Sequence, residues 1–574
     1  MKNQPKKRCW FSERNIIAAV LTAVIVYFCL IPSRLIVSPE TTLITHPLKK
    51  NGTPDYFAAY SEWNNERLRN PEDNGLRMMI AAVGPMLLEQ QMIMKTVPWD
   101  ELPTHKNSKD WYKRFWLPLC SAMSIDPEKK PRLEYPDFHE FIKQLRNEKS
   151  GKEEIQNEEI QNEEIRNLWK QLTGNPWTVE EYPEAACWLE KVSPVLDLAG
   201  IAARKPNWAC YRQAVEPANL MLTVLLPDVQ ASRTHVWNLQ IRIGERIGRG
   251  DIDGAWYDTM TIFRIGRHQM GEPLFVNHFI DAAFERHGFE AVQEILKHGK
   301  PNTEQLKRFA EEFDHLPKRN LIDINKFPFF EKQISFDGLF HLSHTEVEFS
   351  RSIETACTTW WQSLFVPTIC KMAFSLPFDR NIAARQLSER FIPIEAAICE
   401  PNPKKRRDLL RAEADEQIKI DKNIYSKRLV TIPLIRYRSR WIGDFIYQFF
   451  ASAFLNYYQT MDRTQAQNDL LRIAIALERY QREHETYPES LDQLIPQWIE
   501  EIPLDIFTSR DTLTYRRQEN GYLLYSYGQN EKDDKGNPKE YNDIVINMSR
   551  VTDSGGSKPL DNNKPLENNS KPVE

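Results

Sequence analysis

Gln467-Asn-Asp-Leu-Leu-Arg-Ile-Ala-Ile-Ala-Leu-Glu-Arg-Tyr480 places Leu470, Ile473, Ala474, Leu477 and Tyr480 at the i, i+3, i+4, i+7 and i+10 positions of a helix. The spacing predicts an amphipathic helix whose apolar stripe packs on another part of the chain. That helix must end before Pro488, because the residue preceding a proline is pushed out of the α region. Glu489-Ser-Leu-Asp-Gln-Leu-Ile-Pro496 then reads as a short second helix. Strands follow. Thr512-Leu-Thr-Tyr-Arg-Arg517 and Tyr522-Leu-Leu-Tyr-Ser-Tyr527 alternate at period two, and Gln518-Glu-Asn-Gly521 between them carries the Asn-Gly signal of a hairpin turn. A polar loop from Gly528 to Asn542 leads to Asp543-Ile-Val-Ile-Asn547, a closing strand.

The order of helix, Tyr487-Pro488 corner, Ile502-Pro-Leu-Asp505, hairpin, Ser526-Tyr-Gly528, acidic loop and Asp543-Ile544 resembles the soluble part of the major pseudopilin of type II secretion systems. The resemblance covers residues 468–547 and implies an α+β module. In that family the loop after the hairpin binds calcium. The resemblance therefore implies a calcium site in which Asn530 stands where the family usually has aspartate, Asp543 matches the Asp-Ile aspartate, and Asp533 and Asp534 are neighbouring acidic candidates. Calcium takes about six to eight oxygen ligands, which such a loop and its carbonyls can supply. Asn530 removes a charge, and Lys532, Lys535 and Lys539 add positive charge. The competing reading is a solvated loop whose Asp and Asn side chains cap turns. Pseudopilins carry their membrane helix at the start of the long helix, after a leader ending in glycine. Here Cys9-Trp-Phe-Ser-Glu13 has no glycine and the hydrophobic segment lies far upstream, so the resemblance implies a borrowed fold rather than filament assembly.

That upstream segment is Ile16-Ile-Ala-Ala-Val-Leu-Thr-Ala-Val-Ile-Val-Tyr-Phe-Cys-Leu-Ile31, uncharged and preceded by Lys2, Lys6, Lys7, Arg8 and Arg14. With Leu35-Ile36-Val37 beyond it, the stretch is long enough to span a bilayer, and no small-x-small cleavage site follows. We expect an uncleaved signal anchor over 16–37, with a basic tail (1–15) in the cytoplasm and the bulk of the chain in the periplasm or outside. Cys120, Cys187, Cys210, Cys357, Cys370 and Cys399 then fall in an oxidising compartment, as buried thiols or a structural disulfide. The 574 residues allow roughly three or four domains. With 75 basic against 80 acidic residues there is no positive excess to suggest a nucleic-acid partner.

The middle reads as helices. Residues 40–148 form a first helical region, in which Asp73 or Asn74 would cap a helix starting near Leu76. Residues 149–167 repeat Glu-Glu-Ile-Gln-Asn at a period of five, which spirals Ile155, Ile160 and Ile165 around a helix instead of aligning them, so an exposed spacer or disordered insertion is expected. Residues 168–458 form a helical domain of hairpins, solenoid-like in the generic manner of TPR arrays, with Gly250-Asp-Ile-Asp-Gly254 as one hairpin turn. Pro393, Pro401, Pro403 and Lys404-Lys-Arg-Arg407 suggest a surface loop over 391–411. Trp441 to Tyr458 is strongly apolar, but Asp444 and Gln448 make it a buried helix running on into the terminal module (459–550), and 551–574 is too polar to fold.

Chemistry is sparse. Arg242, Arg246, Arg249, Arg264, Arg267 and His268 read as an anion site or, more economically, as ordinary charged helix faces paired with Glu245, Asp251 or Asp258. His341 and His344, near Glu346 and Glu348, lack the helical spacing of a zinc site. There is no nucleophile elbow and no phosphate-binding glycine loop. The expectation is a mainly α protein with a C-terminal α+β module and one transmembrane helix. It would act as a membrane-anchored scaffold that binds a protein partner and is linked to secretion. The rival reading is a membrane-anchored hydrolase with its active site in the helical domain.

Overall fold

The computed structural model describes residues 33–88, 112–150, 158–214, 221, 224, 226–317, 319, 327–341, 377–427, 434–508, 511–538 and 543–549. The fold is mainly helical, as expected, with one small sheet among the described residues, near the C-terminal end. In chain order the larger helices are α1 (Tyr56–Arg67), α2 (Gly75–Val83), α3 (Phe138–Ser150), α4 (Glu158–Leu172), α5 (Pro183–Ala202), α6 (Pro227–Gly248) and α7 (Ile252–Gln269). They continue with α8 (Phe275–Glu294), α9 (Thr303–Asp314), α10 (Phe327–His341), α11 (Arg380–Ile398), α12 (Pro403–Lys427) and α13 (Ile435–His484). Strands β1 (Thr514–Gln518), β2 (Gly521–Ser526) and β3 (Ile544–Asn547) close the chain as an antiparallel sheet in the order β1-β2-β3.

Local chemistry sets many of the boundaries. Asn74 caps α2 by accepting the Arg77 N–H, and Asp251 caps α7 by accepting the Gly254 N–H. Between α6 and α7, Gly250 adopts φ +82, a left-handed value that glycine takes at little cost, and the two helices fold back into contact. In the β1-β2 hairpin Gln518 pairs with Gly521, so the loop residues are Glu519 and Asn520, one position earlier than the Asn-Gly corner expected. Gly521 is required instead by a close approach, since a Cβ there would lie 2.1 Å from the Met548 carbonyl oxygen.

The organising element is α13, an unbroken helix of 50 residues, roughly 75 Å long at 1.5 Å per residue. It belongs to two apolar cores. Trp441 to Met461 pack with α1, α10 and α11 in one, while Ala466 to Leu477 pack with α5 to α9 and with Tyr522, Leu524, Ile544 and Ile546 of the sheet in the other. The predicted stripe is therefore too narrow. Leu471, Ile475 and Ala476 are as buried as Leu470, Ile473, Ala474 and Leu477, because helices cover one side of α13 and the sheet another.

Three further expectations change. Residues 391–411 form the end of α11 and the start of α12, not a loop; Pro393 sits inside α11, where it costs one backbone bond, and Pro403 occupies the first position of α12, where its missing N–H costs nothing. The second half of the five-residue repeat is the packed helix α4, with Ile165 and Leu172 fully buried and Gln161 bonded to Asn147 of α3. Residues 491–494 make a single 3-10 turn rather than an α-helix. The hydrophobic segment up to Ile31 lies outside the described residues, and among these no helix is long and apolar enough to cross a membrane. Residues 33–37 are not helical: the Ser33 N–H and hydroxyl donate to Asp379, and the Ile36 N–H donates to Asn381.

Candidate functional site

A groove of about 630 Å³ lies where α9, α13 and the chain from Pro496 to Pro503 meet. Its position follows from local packing. After the 3-10 turn the Trp498 and Ile499 N–H groups both donate to the Leu494 carbonyl, and the Trp498 ring lies 5.0 Å from Tyr480 and 5.5 Å from His484 at the end of α13. This holds the 496–503 segment away from α9 and leaves a channel. Phe313, Ile473 and Ile499 supply apolar lining, and Asp314, Asp469, Glu500 and Glu501 supply negative charge. Arg472 is the one cation in the lining among the described residues: its Nε is 3.0 Å from Asp314 Oδ1, its Nη1 is 3.2 Å from Asp469 Oδ1, and its guanidinium stands 5.8 Å from the Phe313 ring centre.

Burial pushes the Asp469 carboxyl above its ordinary value, opposed by hydrogen bonds from Gln465 and Arg472. Glu500 and Glu501 are exposed and have no ion-pair partner among the described residues. Four carboxylates against one guanidinium leave a negative channel with an apolar floor. Among the described residues its polar lining is dominated by carboxylates beside an apolar floor, a surface complementary to positive charge. Sequence reading missed this site. Asp469 and Arg472 flank the predicted apolar stripe, but Asp314 is distant in sequence and nothing local announces its approach.

The residues chosen from sequence lie in the loop after the hairpin. Asn530 Nδ2 donates to Asp534 Oδ2 at 2.6 Å, and the Asp543 carboxylate accepts the Asp534 N–H at 3.3 Å and the Gly536 N–H at 2.6 Å. Asp533 accepts the Tyr525 hydroxyl at 2.9 Å and the Lys535 N–H at 2.8 Å, with Arg516 at 3.7 Å. Burial raises the Asp543 pKa, and the nearby Asp534 and Asp533 charges add to that, while the two N–H bonds oppose it. Each side chain is thus engaged within the loop or with the adjoining strands β1 and β2. Among the described residues no three His, Cys, Asp or Glu side chains are grouped so as to hold a metal ion.

The same loop carries a contact that sequence reading did not find. Glu531, at φ +56, pairs with Lys404 at 2.6 Å and Arg411 at 2.9 Å from α12, with Arg407 at 3.5 Å. Although burial opposes ionisation, Lys404 and Arg411 hold the Glu531 carboxyl below its usual range. Arg407 has no exposed side-chain surface; it pairs with Asp462 of α13 and donates to the Ile506 and Phe507 carbonyls. The basic run read as a surface loop is an anchor between α12, α13 and the C-terminal module. Asp505 knots the module internally, accepting the Phe507 and Tyr527 N–H groups and the Ser526 hydroxyl, each at 2.9 Å.

In the helical middle the arginines find carboxylates. Asp258 takes Arg242 at 2.7 Å and Arg246 at 3.0 Å; Arg249 pairs with Asp251 and Glu245, Arg264 with Glu312, and Arg267 with Glu285. His268 bonds the Ala203 carbonyl, and burial lowers its pKa to about 4. His344, Glu346 and Glu348 lie outside the described residues.

These features define a mainly helical protein with a small antiparallel sheet and an acidic groove beside the long helix both share. Compared with known proteins, the chain matches no family model, no curated protein and no solved structure.

Proposed function

We propose that the protein is a membrane-anchored, envelope-facing scaffold whose groove between α9, α13 and residues 496–503 grips a cationic, partly apolar segment of a protein partner. The observation that carries this reading is the groove's composition: Glu500 and Glu501 stand exposed without cationic partners over an apolar floor. The uncharged stretch from Ile16 to Ile31 supports the anchor, and the pseudopilin-like order of residues 468–547 would place the partner in a secretion assembly. The test is selection of peptides from a random library on the full chain. Enrichment of Lys- or Arg-bearing apolar sequences, with binding that weakens in high salt and fails in Glu500→Lys/Glu501→Lys, is expected. Binders indifferent to that reversal, or no binders, would overturn the reading.

Calcium belongs to the same proposal as a structural brace for the 528–543 loop. Binding would require Asp533 and Asp534 to turn from Tyr525 and Asn530 toward Asp543. Thermal melting of the full chain with and without calcium tests it: a rise in melting temperature that Asp543→Asn abolishes is expected by linkage. An unchanged melting temperature removes calcium from the proposal and leaves the groove untouched.

A further inference from the structure

Three elements meet where the chain emerges from its hydrophobic N-terminal stretch. Ser33 donates through both its N–H and its hydroxyl to Asp379, the cap of α11, and the Asp379 N–H donates to Ser439 Oγ in the second turn of α13 at 2.8 Å. Asn381 closes the clip from the other side, accepting the Ile36 N–H at 2.8 Å and donating to the Arg34 carbonyl at 2.9 Å. Residue 33 is therefore held against the start of α13, two residues beyond Ile31, where the uncharged run ends.

The surface around this clip is neither ordinary polar surface nor core. Ile36, Leu434 and Tyr437 are 54%, 43% and 51% exposed, while Ile435, Arg438, Ser439 and Trp441 face inward. Arg436, Tyr437 and Arg440 share the outer face of the first turns of α13, and Arg34 is exposed on the clipped segment. None of these three arginines has an ion-pair partner among the described residues; Glu40 is the acidic residue on the clipped stretch. The clip through Asp379 brings the exposed Arg34 and Ile36 to the end of α13 that carries Leu434, Arg436, Tyr437 and Arg440. Aliphatic side chains, a tyrosine and arginines together are the composition that settles at a membrane interface, with apolar parts below the headgroups and guanidinium groups on the phosphates.

We propose that Arg34, Ile36, Leu434, Arg436, Tyr437 and Arg440 form a docking surface for anionic phospholipid, which seats the body of the protein directly on the bilayer. The inference rests on the anchor reading above, and the test separates the two. The full chain is reconstituted into phosphatidylcholine vesicles containing phosphatidylglycerol, with a benzophenone amino acid at position 437 or, as control, at the exposed hairpin position 519. Flotation reports anchoring, and photo-induced lipid adducts report contact. We expect adducts at 437 to exceed those at 519 by about tenfold and to fall severalfold in Arg436→Glu/Arg440→Glu, which still floats. A chain that floats but gives equal adducts at 437 and 519 overturns the docking surface and spares the anchor. A chain that does not float overturns both.

Discussion

Glu331 of α10 is almost wholly buried, and its Oε1 accepts the Phe275 N–H at 2.6 Å; burial pushes its pKa from 4.5 up to about 7. The folded pKa lies above the unfolded one, so the folded state binds the proton more tightly, and stability falls as pH rises from about 4.5 through 7. Glu331→Gln keeps the acceptor and removes the titration. Relative to the parent it should be nearly neutral at pH 5 and more stable at pH 8 by up to roughly 3 kcal/mol. Urea denaturation at both values measures this, and parallel pH profiles would refute it. Arg407 presents the opposite case. Truncating it strands Asp462 in the interior with Arg406 alone, together with the Ile506 and Phe507 carbonyls, so Arg407→Ala should cost about 3–5 kcal/mol. A loss below 1 kcal/mol in the same assay would mean that Arg406 compensates.

At the scale of elements, helix contacts depend on where side chains are missing. Gly443 lets α13 cross α11 closely, because a Cβ there would lie 2.5 Å from the Ala383 carbonyl oxygen and 2.9 Å from Gln386 Cβ. Gly443→Ala should destabilise by roughly 1–3 kcal/mol, whereas Gly338→Ala in α10, with nothing within 4 Å of the added carbon, should stabilise by about 0.5–1 kcal/mol. Melting both variants beside the parent decides whether steric fit or helix propensity governs. Elements are also where the sequence is most readable. Period-two alternation placed β1 and β2 within a residue or two, the apolar run after Asp543 placed β3, and Asn74 and the Gly250 turn were recognisable, because each signal is carried by neighbours in the chain. What could not be read is what covers a helix on its second face. Leu471 and Ile475 interrupt a clean stripe because the sheet and the earlier helices both need α13, and neither is near it in sequence. Lys404 to Arg407 misled for the same reason: their carboxylates, Asp462 and Glu531, arrive only by folding.

For the whole molecule, the module beginning at residue 459 shares its core with the rest of the chain. Its helix is the second half of α13, and Leu470 to Leu477 are covered partly by α8 and α9, which excision would remove. A fragment of residues 460–550 would expose that face, and we expect it to aggregate or to lose protection from protease, whereas the same region in the full chain resists cleavage. A soluble fragment with a cooperative melt would show instead that the sheet alone suffices. The groove belongs to this scale too, since no single segment contains both Asp314 and Glu500. The late position of α13 also bears on how the chain comes to be folded. In chain order α13 follows every other helix described above, so both cores close only when this late element meets the earlier ones. Contacts that close over so long a sequence separation slow folding, so the final step is the docking of α13 onto helices that already touch one another, α6 on α7 and α7 on α8.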